Sequence, residues 1–205
     1  MHLEILTPQQ QALLAFFTKY IKKYYLVGGT AIALHLGHRT SIDFDLFTSG
    51  RIGAASIKKH VADYGLDYHI IVSKSDQIHF IMNQVKVTFF EFPYKIEAPI
   101  YINNHFRLPG LLTLAAMKAF ALGNRGKWKD YVDLYFILKD HYSIAEISKQ
   151  AKALFEGSFN ATLFIRQLSY FDDINYDEEV VYMPGFEVAD DTIKSFLVDK
   201  ALEGF

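Results

Sequence analysis

The stretch YYLVGGTAIALHLG (residues 24–37), followed closely by IDFDLF (residues 42–47), carries the strongest fold signal of this chain. Its first four residues favour a β-strand, and the pair Gly28-Gly29 ends that strand. The apolar residues that follow predict a short buried helix stopped at Gly37. The sequence therefore predicts a strand, a tight glycine turn, a helix and a second strand in quick succession.

The second run alternates strictly, which predicts a strand with Asp43 and Asp45 on one face and Ile42, Phe44 and Leu46 on the other. Two carboxylates that project side by side repel each other unless a proton or a cation lies between them. Mg²⁺ is a natural occupant, because one or two carboxylates hold it while substrate phosphates complete its coordination. The alternative for an isolated Asp-x-Asp is a solvated polar face.

Outward from this stretch, the periodicity predicts an α+β first half and an all-helical second half. Thr7-Pro8 marks the start of a helix that reaches about Ile21. Further helices are predicted over 54–64, 111–122, 129–138, 144–155, 161–170 and 191–202. Antiparallel strands are predicted over 68–72, 78–82 and 85–92. We therefore predict an α+β core over 1–105 and a helical region over 106–205 that packs on the core and completes its site.

The composition is that of a folded protein, with 205 residues, a net charge of -2, 51% hydrophobic residues and no cysteine. The lack of cysteine excludes a thiolate zinc site and a cysteine nucleophile. The longest apolar runs fall short of the roughly 18 residues that a membrane span needs. We therefore expect a cytoplasmic protein without membrane contact, in which nucleic acid binding would require a local basic patch.

The glycine pair Gly28-Gly29 with Thr30 lies where a strand turns into a helix. Such a turn presents free backbone N–H groups and the positive end of the helix dipole to an anion. Glycine lets a phosphate approach the backbone, and the Thr30 hydroxyl offers another hydrogen bond. A plain tight turn is the alternative, but the joint pattern of a phosphate cradle and two carboxylates favours metal-assisted nucleotidyl or phosphoryl transfer.

Five segments in this order resemble the nucleotidyltransferase domain of AbiEii/AbiGii-type toxins, within the DNA polymerase β-like superfamily. They are LVGGTA (26–31), HRTSIDFDLF (38–47), LAAMK (114–118), Arg125 and KDYVDL (129–134). The resemblance implies a nucleotidyltransferase-type mixed sheet with flanking helices. It also implies Mg²⁺ at Asp43 and Asp45, and an NTP held against a set of small, polar and basic residues: Gly28, Gly29, Thr30, Arg39 and Ser41.

The implied role is the toxin of a toxin–antitoxin or abortive phage infection system. Such a toxin moves a nucleoside monophosphate from an NTP to a tRNA or protein acceptor and has a cognate antitoxin. Lys127 and Lys129 beside Trp128 favour RNA as the acceptor, because basic and aromatic side chains together bind unpaired nucleotides. An ordinary solvated loop is the alternative interpretation of these three residues.

Lys118 and Arg125 share one face of an otherwise apolar helix. A lysine there often snorkels to solvent, but the resemblance assigns Lys118 to phosphate neutralisation and Arg125 to a second nucleotide contact. Asp133 lies on an almost wholly apolar helix, so if buried it needs Lys118, Arg39 or a ligand as a partner. The alternative is that Asp133 lies on a narrow exposed stripe with Asp130 and Lys129. Asp130 and Asp133 are candidates to orient Lys118 or to act as a base toward an acceptor hydroxyl.

Many polymerase β-like transferases carry a third carboxylate on a later strand, where this sequence offers Thr88, with Glu91 three residues further. Two alternatives stay open. The open question whether Glu91 completes the metal site favours a nucleotide-binding pseudoenzyme or regulator with the same fold. The shared fold also leaves a small-molecule nucleotidyltransferase of the antibiotic-modifying type. His35, on the apolar helix, is interpreted as a packing residue.

Overall fold

A computed structural model describes residues 1–122 and 126–203 of the chain. Its helices are α1 (Pro8–Ala12), α2 (Leu14–Phe17), α3 (Gly28–Leu36), α4 (Ala54–Asp63), α5 (Leu111–Leu122), α6 (Trp128–Asp140), α7 (Ile144–Phe155), α8 (Ala161–Leu168) and α9 (Asp190–Glu203). Its strands are β1 (Tyr25–Val27), β2 (Phe44–Thr48), β3 (Tyr68–Ser73), β4 (Gln77–Met82), β5 (Val85–Glu91), β6 (Ile100–Ile102) and β7 (Phe106–Leu108).

The predicted α+β fold with a mixed sheet is confirmed. Five strands form one sheet in the order β1-β2-β5-β4-β3. The β2–β5 pair is parallel, whereas β1–β2, β5–β4 and β4–β3 are antiparallel. The three later strands are the hairpin series expected from the sequence, and their last strand returns beside β2. This return places β5 next to the strand that carries Asp45.

The two faces of this sheet differ in what covers them. On one face, strand residues such as Phe44, Phe80 and Phe89 are fully buried. Phe17 contacts Phe44 edge-on at 4.8 Å, and Phe16 lies 6.2 Å from Phe80, so the N-terminal helices close this side of the sheet. The strand residues that alternate with these phenylalanines point to the opposite face of the sheet, which remains partly open.

Two glycines set the ends of α3. Gly28 has φ +73° and Gly37 has φ +70°, which is the left-handed region that L side chains avoid. The backbone N–H of Gly37 donates to the carbonyl of Ala33 and closes the last turn. The sequence signals for the start and end of this helix therefore correspond to real backbone requirements.

The second half contains helices α5 to α9, as predicted, with a non-helical segment between α8 and α9. α3 packs against α5 and α6, and α5 packs against α7. Buried residues from both sides of the predicted 1–105 and 106–205 boundary join a hydrophobic cluster. The division into two regions stays a prediction. In the part of the chain that the structure describes, no helix combines the length and the apolar character of a membrane span.

Two local predictions were wrong, and one hairpin was missed. The N-terminal helix does not run unbroken to Ile21, because α1 and α2 are separate short helices followed by a 3-10 turn at Thr18–Tyr20. The strand predicted to start at Ile42 begins only at Phe44, so the 55% exposed Ile42 precedes β2 and does not share a strand face with Phe44. The hairpin β6–β7 was missed, since each of its strands has three residues and gives too short a pattern to detect.

Candidate active site

The strand-to-helix turn, the open sheet face and helices α5 and α6 surround a cavity of about 350 Å³. Its size falls within the range of small-molecule sites in proteins. Predicted site residues that line it are Gly28, Gly29, Arg39, Ser41, Asp43, Asp45, Lys118 and Asp130. The cavity thus brings together residues from widely separated parts of the sequence.

Asp43 and Asp45 both line the cavity directly beside the start of α3. A Cβ placed on Gly28 would lie 2.6 Å from the Asp45 carboxylate oxygen Oδ2, so only glycine permits this approach. Asp43 lies just before β2 and Asp45 lies within it, paired with Val27 of β1. The turn and the carboxylates therefore form one local unit.

This donor pair fits a divalent cation. Burial raises the pKa of Asp43, and the negative charge of Asp45 raises it further. Lys86 opposes this effect but does not reverse it. Two neighbouring carboxylates that line one cavity are the oxygen donors that Mg²⁺ prefers. Within the described ranges no third His, Cys, Asp or Glu joins them in a metal-binding group.

The second glycine of the turn packs against a basic side chain. A Cβ on Gly29 would lie 2.6 Å from Arg39 Nη2 and 3.2 Å from Ser41 Oγ. Thr30 is placed differently from the expectation of a ligand contact. Its side chain is buried and its hydroxyl is directed to Ser41 Oγ (2.9 Å) and to the Asp43 carbonyl oxygen. This hydroxyl therefore fixes the segment before β2 instead of facing the cavity.

Asp133 is the centre of a buried ion-pair cluster. Arg39 donates to both of its carboxylate oxygens, from Nε at 2.7 Å and from Nη2 at 2.9 Å. Lys118 Nζ lies 2.8 Å from Oδ2, and His38 Nε2 donates to Oδ1 at 2.8 Å. Asp133 itself is fully buried. It is therefore placed to orient Arg39 and Lys118, and not to act as a base on an acceptor.

The charges in this cluster support one another. Burial alone would raise the pKa of Asp133, but Arg39 and Lys118 hold it well below its usual range. Burial opposes the charged form of Lys118 as well, but Asp130 and Asp133 outweigh it and raise the pKa of the ammonium. Burial lowers the pKa of His38, so its imidazole is neutral.

Lys118 bridges this cluster and the cavity. Its ammonium lies 2.7 Å from Asp130 Oδ1 and 2.8 Å from Asp133 Oδ2, and its side chain also lines the cavity wall. An ammonium has three N–H groups, of which these carboxylates use two. The geometry therefore holds Lys118 rigidly at the wall of the cavity.

Lys127 and Lys129 lie at the rim of the cavity with Glu178. Glu178 contacts Lys127 Nζ at 2.5 Å and Lys129 Nζ at 3.4 Å. The predicted role of Trp128 as a stacking platform for RNA is wrong. Trp128 is 5% exposed, because its ring packs between Tyr131 and Tyr176.

The sheet register bears on the third carboxylate. Thr88 is the direct neighbour of Asp45 and lines the cavity. Glu91 pairs with Thr48 and, being an odd number of residues from Thr88, belongs to the opposite side of β5. Glu91 is not among the described residues that line the cavity. His35 Nε2 donates to the Pro109 carbonyl oxygen at 3.0 Å, consistent with a packing role.

Sequence reasoning did not identify Glu178, His79 and Lys86, all of which line the cavity. His79 and Lys86 lie on strands in which buried and exposed residues alternate in the usual way. Only the sheet register shows that these two side chains face the cavity. Glu178 lies in an acidic run far from the other motifs, and the sequence offers no signal that it returns to the site. Arg125, a predicted nucleotide contact, lies outside the described residues.

Comparison with known proteins gives the family. A model of the family described as "Nucleotidyl transferase AbiEii toxin, Type IV TA system" matches residues 12–200. The uncharacterized protein aq_aa25 of Aquifex aeolicus strain VF5 is 32% identical over 155 residues, which are 73% of this chain and 74% of that protein.

Solved structures share the fold at low sequence identity. MenT4, a nucleotidyltransferase toxin from Mycobacterium tuberculosis H37Rv, matches 93% of this chain and 80% of its own with a TM-score of 0.58 and 13% identity. JHP933 from Helicobacter pylori matches 95% of this chain and 86% of its own with a TM-score of 0.53 and 13% identity. On the family match, this chain belongs to the AbiEii nucleotidyltransferase toxin family and is a nucleotidyltransferase.

Proposed function

We propose that this toxin transfers a nucleoside monophosphate from an NTP to a hydroxyl of a tRNA or protein in a Mg²⁺-dependent reaction. The observation that carries the proposal is the approach of the α3 N-terminus to the Asp43 and Asp45 carboxylates in one cavity. A helix N-terminus favours phosphate, and paired carboxylates favour the cation that accompanies it.

Different residues are suited to bind different parts of the triphosphate and its cation. Backbone N–H groups at Gly28 and Gly29 are suited to its terminal phosphates. Asp43 and Asp45 would hold Mg²⁺, whose chemistry is to neutralise charge on phosphoryl oxygens. Lys118, fixed by Asp130 and Asp133 at 2.7 and 2.8 Å, adds a positive charge at the wall of the cavity. Such fixed charges stabilise a phosphoryl transition state without reorganising during the reaction.

Two features support the acceptor and the partner in this proposal. Lys127 and Lys129 at the rim provide positive charge for the backbone of a tRNA. A protein hydroxyl is the other acceptor in the proposal. The family description names a type IV toxin–antitoxin system, so we propose a cognate antitoxin for this chain. NTPs and tRNA are found together in the cytoplasm, where we propose that the toxin acts.

The test is a transfer assay with NTPs labelled at the α-phosphate, each supplied in turn with Mg²⁺ and either total tRNA or lysate protein. We expect label on an acceptor with the wild-type chain. Asp45→Asn should lower the transfer rate by about 10³-fold or more, because it removes a charge from the metal site and preserves shape.

The matched control is Asp63→Asn, which removes an exposed carboxylate that pairs with Lys59 on α4. It should transfer at the wild-type rate. Chelation of the divalent cation should abolish transfer in both proteins. Bound NTP without release of pyrophosphate by the wild-type chain would instead indicate a nucleotide-binding regulator and would contradict the proposal.

A further inference from the structure

One row of residues crosses the open face of the sheet from β1 to β4. The strand register places Val27 beside Asp45, Asp45 beside Thr88, and Thr88 beside His79. All four residues line the cavity. Val27, which is followed by Gly28, lies at one end of the row. Adjacent strands lie about 4.8 Å apart, so His79 lies at the other end, roughly 10 Å beyond Asp45.

This row gives the cavity a direction. In phosphoryl transfer the attacking and leaving oxygens lie roughly in line on opposite sides of the phosphorus atom. If the leaving pyrophosphate is held at the Gly28 end, as the proposed function has it, the attacking hydroxyl approaches from the other end of the row. That end is formed by Thr88 and His79.

The attacking hydroxyl must lose a proton at this end. The described side chains that line it are Gln77, His79, Lys86, Thr88 and Phe90. Among these types, imidazole is the group that accepts a proton near neutral pH. His79 also has a defined orientation, because its Nε2 lies 2.8 Å from Gln77 Oε1. An amide oxygen only accepts, so Nε2 carries the hydrogen and Nδ1 keeps its lone pair.

We propose that His79 is the general base of the acceptor side, with Gln77 as its positioning residue. The acceptor oxygen forms a bond to the α-phosphorus, and the bond from that phosphorus to the bridging oxygen of pyrophosphate breaks. The leaving pyrophosphate keeps the electron pair of the broken bond, and the proton of the acceptor hydroxyl passes to His79 Nδ1. This role rests on the proposed function and adds a catalytic residue to it.

The surroundings of His79 agree with this role. Burial lowers the pKa of the imidazole, and Lys86 and Lys74 lower it further, whereas Asp45 raises it. The net direction is downward, so the ring is neutral at physiological pH and free to accept a proton. Thr88, which separates His79 from Asp45, has a short side chain and lines the cavity with both of them.

The test compares His79→Asn with the control His69→Asn in the label-transfer assay with total tRNA and lysate protein. His79→Asn keeps a polar side chain of similar reach but has no basic nitrogen. We expect kcat to fall by about 10²-fold or more, the lower range for loss of a general base, while KM for the NTP changes less than about threefold. His69 is exposed on β3 and is not among the described residues that line the cavity, so its variant should match the wild type.

Three further measurements separate catalysis from a structural effect. Added imidazole should restore part of the rate of His79→Ala, whereas a merely misfolded variant gains nothing. Gln77→Glu should move the acidic limb of the kcat/KM profile to higher pH, because a carboxylate that accepts from Nε2 raises the pKa of the ring. Equilibrium binding of NTP with Mg²⁺ should be unchanged in all of these variants.

The outcomes distinguish this inference from the proposed function. Transfer by the wild-type chain together with an unchanged kcat in His79→Asn overturns the inference alone. No transfer by the wild-type chain to either acceptor pool overturns the proposed function and, with it, the role of His79. A loss of rate in His79→Asn that imidazole does not restore in His79→Ala assigns His79 to structure and also overturns the inference.

Discussion

At the scale of single residues, one carboxylate supports the cavity although it is not among the described residues that line it. Asp133 is fully buried and holds Arg39 and Lys118, which both line the cavity. Removing one partner from such a cluster leaves an uncompensated buried charge, which is more harmful than the ion pair is favourable. We therefore expect Asp133 to affect both stability and the transfer rate through its contacts with Arg39 and Lys118.

We expect Asp133→Asn to lower the free energy of unfolding by about 3–5 kcal/mol, because Arg39 and Lys118 would lose their shared anion. Urea denaturation monitored by circular dichroism measures this change. Asp140→Asn, at the exposed end of the same helix, is the matched control and should differ from the wild type by less than about 0.5 kcal/mol. Equal stability of the two variants would contradict the importance of the cluster.

The low pKa of Asp133 also predicts sensitivity to acid. Its folded pKa lies below the ordinary value of about 3.9, so its stabilising contribution is complete above that value and is lost as pH falls through the folded pKa. Wild-type stability should therefore decline more steeply below about pH 4 than that of Asp133→Asn. Urea midpoints over the range from neutral to acidic pH measure the two slopes, and parallel curves would show that other groups control acid unfolding.

At the scale of elements, the turn from β1 into α3 determines where the carboxylates meet the helix. Gly28 has a positive φ, and a Cβ added there would lie only 2.6 Å from Asp45 Oδ2. The positive φ is a local requirement of the backbone. The lack of space for a Cβ, in contrast, comes from Asp45 on β2, a strand that follows later in the sequence. We therefore expect a substitution at Gly28 to disturb both the turn and the Asp45 carboxylate, which we propose to hold Mg²⁺.

We expect Gly28→Ala to reduce transfer by about 10²-fold or more, because the methyl group displaces Asp45, and to lower stability by more than about 1 kcal/mol. Gly65→Ala is the matched control, since Gly65 also has a positive φ of +81° but no described atom lies within 4 Å of an added Cβ. Its cost should be the conformational strain alone, roughly 1 kcal/mol, with normal activity. Similar activity of both variants would argue against a tight approach of Asp45.

At the scale of the whole molecule, the segment between α8 and α9 returns to the site. Thr40 N–H donates to the Val181 carbonyl at 2.9 Å, and Met183 N–H donates to the His38 carbonyl at 3.0 Å. Trp128 N–H donates to the Asn175 carbonyl at 3.0 Å. These contacts bring Glu178 to the rim, where Lys127 and Lys129 lower its pKa through hydrogen bonding and charge.

Glu178 pairs with two lysines that would also attract a nucleotide phosphate. We expect Glu178→Gln to lower KM for the NTP by roughly two- to tenfold, because Lys127 and Lys129 become available to phosphate. The change is modest, since all three side chains are partly exposed and screened by solvent. Initial rates over a range of NTP concentrations measure it. Glu179→Gln, its exposed neighbour, is the control, and an unchanged or raised KM in Glu178→Gln would show that Glu178 assists binding instead.

Local structure around the site was predictable from the amino-acid sequence without any tertiary information. The strand, glycine turn and helix over 24–37 and the acidic alternation at Asp43 and Asp45 follow from periods and residue types that act over a few positions. The later helices and the hairpin strands were also predictable, because the spacing of their apolar residues repeats over most of each element. The N-terminal helix and the short β6–β7 hairpin were not, since their patterns are too brief or are interrupted by packing.

The contacts between distant side chains, in contrast, follow from the folded chain and from nothing local. The pairing of Asp133 with Arg39 spans 94 positions, and that of Glu178 with Lys127 spans 51, so no local period reports either one. The neighbours of Asp45 on the sheet, Thr88 and then His79, depend on strand order and register. Local periodicity records which face of an element is buried, whereas contacts between distant elements arise from the packing of those faces in three dimensions.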